Sequence, residues 1–218
     1  MKKLFLKSFV MLAVSAMMVS CGGSGLGKLA MDSPEAVNKV KDVVTSNVSP
    51  DEWKIVELSW MEGIGDAAEL ENNLNNGSIT TRMVKKNGQV FSQSYIGQLN
   101  WKPSDISPDH WYKEGLIFEK VTPVDAAKLD AAVIMKQIED AKKLIPSEYE
   151  FKSLASYCIG SSVPRAKDGE YGDKLETTFK FNVVEKGNET VSNAGSTSIV
   201  YYELNFEVAP DGTVTLKE

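Results

Sequence analysis

Few side chains in this sequence have the chemistry to make or break bonds, and most of those stand alone. His110 is the single histidine, so multi-histidine metal sites and paired-imidazole catalysis are ruled out by count. A thiol–imidazole pair would have to join His110 to Cys158. Cys158 lies in the strand-like run FKSLASYCIG and reads as a small buried hydrophobe, while His110, in WKPSDISPDHWY, reads as a surface loop residue. No serine stands in a nucleophile elbow, and no glycine-rich loop joins a strand to a helix. Asp168, Glu170, Asp173 and Glu176 could gather around calcium, but their spacing misses the EF-hand pattern and reads as a solvated loop. We therefore assign no catalytic residue, metal ligand or cofactor. Paired carboxylates for glycoside hydrolysis stay open, because their geometry is not written in the spacing.

The aromatic stretch between Trp101 and Tyr112 is the most unusual local feature. Trp101, Trp111 and Tyr112 flank Pro103 and Pro108, and rings with little rotamer entropy suit a recognition surface. The same rings could instead pin the loop onto a core. Taken as candidate binding residues, they predict that Trp101 or Trp111 is at least partly exposed.

Cys21 points to a different chemistry. Lys2, Lys3 and Lys7 precede an apolar run from Phe9 to Val19, too short to cross a bilayer as a helix at about 1.5 Å per residue. A positive start, a short apolar run and small residues make residues 1–20 a signal peptide. Met18-Val19-Ser20-Cys21 then resembles the lipobox of bacterial lipoproteins, with Met18 in place of the usual Leu. The resemblance implies cleavage before Cys21 and a diacylglycerol on its sulfur. The Gly/Ser-rich residues after Cys21 resemble lipoproteins of the Bacteroidetes type, and Gly22 and Gly23, not being acidic, favour an outer-membrane position facing the periplasm. Residues 21–33 read as a flexible tether.

Charge and cysteine content agree with an exported protein. Without the three lysines of residues 1–20, the chain's 24 basic and 30 acidic groups become 21 and 30, a net charge of −9. No basic run exceeds a pair, so neither nucleic acid nor anionic lipid is an expected electrostatic partner, and the lipid chains must do the anchoring. With Cys21 lipidated, Cys158 is alone and no internal disulfide can form.

The elements that would position these residues are helices and antiparallel strands. Ser33-Pro34 opens a helix with Val37, Val40, Val44 and Val48 on one stripe. Thr122-Pro123-Val124-Asp125 opens a second, with Ala127, Ala131, Ile134, Ile138, Ala141 and Ile145 in register. A shorter helix is expected from Asp66 to Gly77. Period-two alternation marks strands over 79–84, 90–96, 175–183 and 200–208. Further strands are expected over 53–60 and 116–121, with turns at Asn87-Gly88 and Pro210-Asp211-Gly212.

The two halves look alike. Pro50-Asp51-Glu52-Trp53 recurs as Pro146-Ser147-Glu148-Tyr149, and Thr80-Thr81 as Thr177-Thr178. The expected fold is α+β, with a helix and four antiparallel strands twice over in residues 34–121 and 122–218, the helices covering one sheet face. This order resembles the tandem helix-plus-four-strand modules of the β-lactamase inhibitor protein type. The expected function is a non-enzymatic, lipid-anchored, periplasm-facing binder of a partner protein or envelope component, through a sheet face or the aromatic loop. The alternative is a carboxylate-dependent hydrolase acting on envelope or dietary glycan.

Overall fold

A computed structural model describes residues 27–63, 70–110, 115–161, 174–193 and 196–217. The first described helix is α1 (Pro34–Asn47), where Ser33 Oγ accepts the Ala36 N–H at 3.2 Å and proline sits in the first turn. Its buried stripe is Ala36, Val37, Val40, Val43 and Val44, and Val48 ends it by turning extended. Four strands follow: β1 (Lys54–Met61), β2 (Ser78–Val84), β3 (Val90–Ile96) and the two-residue β4 (Ser107–Pro108). Helix α2 (Ala131–Lys142) leads into the long β5 (Tyr149–Ser161) and β6 (Leu175–Glu185). The hairpin β7 (Thr190–Asn193) and β8 (Ser196–Ile199) comes next, and β9 (Tyr202–Val208) and β10 (Val214–Leu216) close the chain.

Eight of these strands form one antiparallel sheet in the order β4-β3-β2-β1-β5-β6-β9-β10, and β7 pairs only with β8. The sheet is thus continuous across the join of the two halves, through β1 and β5 at its centre.

Both helices pack on the same sheet face and on each other. Their stripes meet Leu58, Trp60, Ile79, Leu154, Tyr157, Phe179, Phe181 and Phe206 in one core. Four rings stack across β1, β5, β6 and β9: Trp60 on Tyr157 at 4.6 Å, Tyr157 on Phe179 at 5.4 Å and Phe179 on Phe206 at 5.3 Å. Each such contact is worth about 0.5–1.5 kcal/mol beyond the area it buries.

Three expected elements are corrected. The second helix begins at Ala131, capped by Asp130, whose Oδ1 accepts the Ala132 N–H at 2.8 Å. Thr122-Pro123 instead precedes a short 3₁₀ turn (Ala126–Lys128) capped by Asp125, and Val124 N–H is drawn to Ile55 O at 2.8 Å. Residues 116–121 do not make a strand. They hold a 3₁₀ turn (Phe118–Lys120), and Leu116 and Val121 cover a second apolar cluster with Val56, Val84 and Val90. The expected helix from Asp66 reduces, where described, to a 3₁₀ turn (Leu74–Asn76) after left-handed Leu70 and Asn72, and 66–69 lie outside the described residues. Among the described residues no helix is long and apolar enough to cross a membrane.

Candidate functional site

With α1 and α2 on one face, alternation fixes which side chains occupy the other. Between core-facing Leu58 and Trp60 stands Ser59, opposite Thr80 on β2 and Cys158 on β5. Thr80 in turn faces Ser94 on β3, and Cys158 faces Thr178 on β6. Ser94, Thr80, Ser59, Cys158 and Thr178 thus form a row of small side chains across five strands, about 20 Å wide at ~4.8 Å per strand. The row is part-exposed to exposed, with Thr80 Oγ1 and Ser94 Oγ 3.2 Å apart.

Parallel to this row run Ser92, Arg82, Glu57 and Gly160. Arg82 Nη1 donates to Glu57 Oε1 at 2.5 Å, and its Nε donates to Asp109 Oδ2 at 2.8 Å. The two carboxylates hold the guanidinium above its ordinary pKa against the effect of burial. Beyond this row the face is closed by Leu116 and Val121. There the Gly88 turn clasps Leu116 N–H at 2.8 Å, and a Cβ on Gly88, which sits at φ +82°, would lie 2.4 Å from Leu116 O.

Cys158 belongs to this face. Burial, and then the nearby Glu57 charge, push its thiol up to about 12, so at neutral pH it is held as the protonated thiol. His110 is exposed. Among the described residues no group of three His, Cys, Asp or Glu side chains could hold a metal ion. Of the acidic loop only Glu176 is described, as an exposed residue of β6.

Trp101 is buried in the main core. Asn100 and Trp101 are both left-handed, at φ 56° and 62°, which reverses the chain so that the indole folds back under it. This removes Trp101 from the exposed binding surface expected of it. Trp111 and Tyr112, like Cys21 and residues 1–26 as a whole, lie outside the described residues.

The buried carboxylate that spacing did not single out is Glu62, 4% exposed just past β1. Ser153 Oγ and Asn182 Nδ2 each donate to its Oε1 at 2.6 Å, and the Asn72 N–H donates to Oε2 at 3.1 Å. Burial is the largest influence and raises its pKa, against donors that include the Leu70 backbone. Asn72 continues the network, donating to Asp32 Oδ1 at 2.5 Å and accepting from the Leu154 N–H at 3.1 Å, and Lys142 Nζ meets Asp32 at 2.9 Å. Glu62 faces amide and hydroxyl donors, an arrangement that fastens the end of β1 to β5 and β6. A glutamate just past an apolar strand carries no sequence mark of such burial.

Compared with known proteins, the chain matches no family model, no curated protein and no solved structure.

Proposed function

We propose that this chain is a lipid-anchored envelope protein that binds a partner protein on the sheet face away from α1 and α2. The observation that carries the reading is the row Ser94, Thr80, Ser59, Cys158 and Thr178, in register across five strands on the face away from both helices. Small hydroxyl-bearing side chains let a partner approach the strands closely and exchange hydrogen bonds, and the Arg82–Glu57 pair beside them supplies orientation. The sequence Met18–Cys21 behind an apolar run supports the anchor, and with it a periplasm-facing position at the outer membrane.

The same reading takes the fold as two helix-plus-four-strand units joined by duplication. Read outward from the centre, the strands run β1-β2-β3-β4 on one side and β5-β6-β9-β10 on the other. The helix caps Ser33 and Asp130 are 97 residues apart, as are Trp60 and Tyr157, which pair directly across the central strands. Residues equivalent by duplication and opposite in register mark a two-fold axis at that pair. Bulges between Ile55 and Glu57 and between Phe151 and Ser153 match at an offset of 96, and a second bulge in β5 makes the step to 97. The Thr-Thr correspondence drops out: Ile79 faces Trp60 and Phe179 faces Tyr157, so Thr80 corresponds to Lys180.

The test is capture from intact envelopes with the lipid retained, comparing the parent with Ser59→Lys and Thr178→Lys. Capture of a defined protein should fall at least tenfold with unchanged thermal melting. Undiminished capture by both variants would remove the sheet face as the binding surface.

A further inference from the structure

Of the expected tether, the described residues from Gly27 onward are bonded to the body of the fold. Leu29 N–H donates to Asn73 Oδ1 at 2.9 Å, Leu74 N–H to Leu29 O at 2.8 Å and Met31 N–H to Asn72 O at 3.2 Å. Asn75 Nδ2 holds Gly27 O at 2.5 Å, so the chain is fastened to the body from Gly27 onward. Only six residue steps separate Gly27 from Cys21. Fully extended they span about 20 Å, and as a coil about 13 Å.

The chain enters the fold beside one particular turn. A Cβ on Gly97 would lie 2.3 Å from Asn75 O, and Gly97 N–H donates to Gly77 O at 3.0 Å, so the turn after β3 packs on the residue that holds Gly27. In this turn Leu99 is 60% exposed, more than any other large hydrophobic residue described, and Ile96 is 40% exposed. Lys102 in the same turn and Lys28 beside Gly27 are also exposed. The turn is closed by backbone bonds: Asn100 N–H meets Gly97 O at 2.9 Å, Trp101 N–H meets Ile96 O at 3.1 Å, and the Trp101 indole is buried.

We propose that this turn, through Ile96 and Leu99, rests on the lipid bilayer to which the chain is anchored. The inference depends on the lipid-anchor reading of Cys21. A six-residue leash keeps the turn within reach of the headgroups. There, exposed apolar side chains gain by leaving water, and the two lysines can meet lipid phosphates along their aliphatic stems. The bilayer is the occupant favoured because the covalent chain leads to it from this edge of the fold.

The experiment uses the lipid-modified full chain with Cys158→Ser, carrying a single fluorescent label at Gln98→Cys or, at the opposite sheet edge, Asp211→Cys. Each is reconstituted in phosphatidylethanolamine–phosphatidylglycerol vesicles containing brominated acyl chains. Quenching at position 98 should exceed that at 211 several-fold and fall to the 211 level when Ile96→Asp and Leu99→Asp are added. Equal quenching at the two positions, with vesicle binding intact, would overturn the proposal. A position-98 label open to water on vesicles yet shielded in intact envelopes would overturn it in favour of a protein partner. Flotation with vesicles reports the anchor separately. The parent should float and Cys21→Ser should not, and flotation of both would refute the anchor reading while leaving the quenching comparison to judge the turn.

Discussion

Glu62→Gln removes a buried charge while keeping the side chain's shape, so it isolates what the charge costs and what its donors return. In the parent, Oε1 takes the Ser153 and Asn182 donors and Oε2 takes the Asn72 N–H. Glutamine keeps one acceptor oxygen and turns the other into a donor, which leaves one or two buried donors facing an N–H. Each orphaned donor costs about 1–3 kcal/mol, partly offset by no longer desolvating a carboxylate, so a net loss of about 1–3 kcal/mol near neutral pH is expected. The pH dependence is sharper. Burial raises the Glu62 pKa above its ordinary 4.5 in the folded chain. As pH climbs through 4.5, the unfolded chain gives up this proton first while the folded chain still holds it, so unfolding is favoured. Stability from this group is therefore full below pH 4.5 and is lost as pH rises to the folded pKa, at no more than about 1.4 kcal/mol per pH unit. Glutamine does not titrate. The parent's stability advantage over Glu62→Gln, measured by urea unfolding, should be largest near pH 4.5 and shrink towards pH 8. An advantage that widens over that range would refute the reasoning, because the donors would then outweigh burial.

The remaining predictions follow the packing and the caps. Trp101→Ala should cost about 3–5 kcal/mol in thermal or urea unfolding, as for any large ring removed from a core; a loss under 1 kcal/mol would mean the indole is not packed. Asp130→Ala should cost about 1 kcal/mol by the same measurement, since its carboxylate caps α2. Cys158, its thiol pushed up to about 12, should react slowly with a disulfide reagent at pH 8 until urea unfolds the chain; rapid reaction in the folded state would contradict the raised pKa.

Local signals carry α1 and the strands over 79–84, 90–96, 175–183 and 200–208, because each is specified by its own residues, whereas β4 and the β7–β8 hairpin have no such signal. Alternation in 175–183 and 200–208 and the Ser33-Pro34 cap need no distant partner to be read. The start of α2 was misread because Thr122-Pro123 and Asp130 are both competent caps, and a tertiary bond from Val124 to Ile55 decides between them. Leu116 and Val121 carry a strand's composition but satisfy it by covering Val56, Val84 and Val90, which lie far away in sequence. A sheet face away from the helices is legible in outline, but its row of small residues is not. It depends on five strands sharing one register, and the bulges at 55–57, 151–153 and 154–156 shift that register by steps no alternation count reveals. Glu62 was missed for a related reason, since its burial is set by Ser153 and Asn182 from other strands.

On the proposed reading, the anchor edge and the binding face occupy different parts of the fold. The entry segment is tied through Asn72 to Asp32 and Lys142 of α2, to Leu154 of β5 and to Glu62 at the end of β1. That network crosses from the entry segment to the centre of the sheet, so the entry segment is held by the core. If the Ile96–Lys102 turn rests on the bilayer, contact is made at a strand end near one sheet edge. The bilayer then does not cover the face carrying Ser59, Thr80 and Thr178, which stands open to the side. A partner held in the periplasm or in the same membrane could dock there without displacing the lipid contact. Substitutions on the face and on the turn should accordingly be independent. Ser59→Lys should weaken capture without changing quenching at position 98, and Leu99→Asp should change quenching without weakening capture from detergent. Coupled losses in both assays would mean that the two surfaces are one.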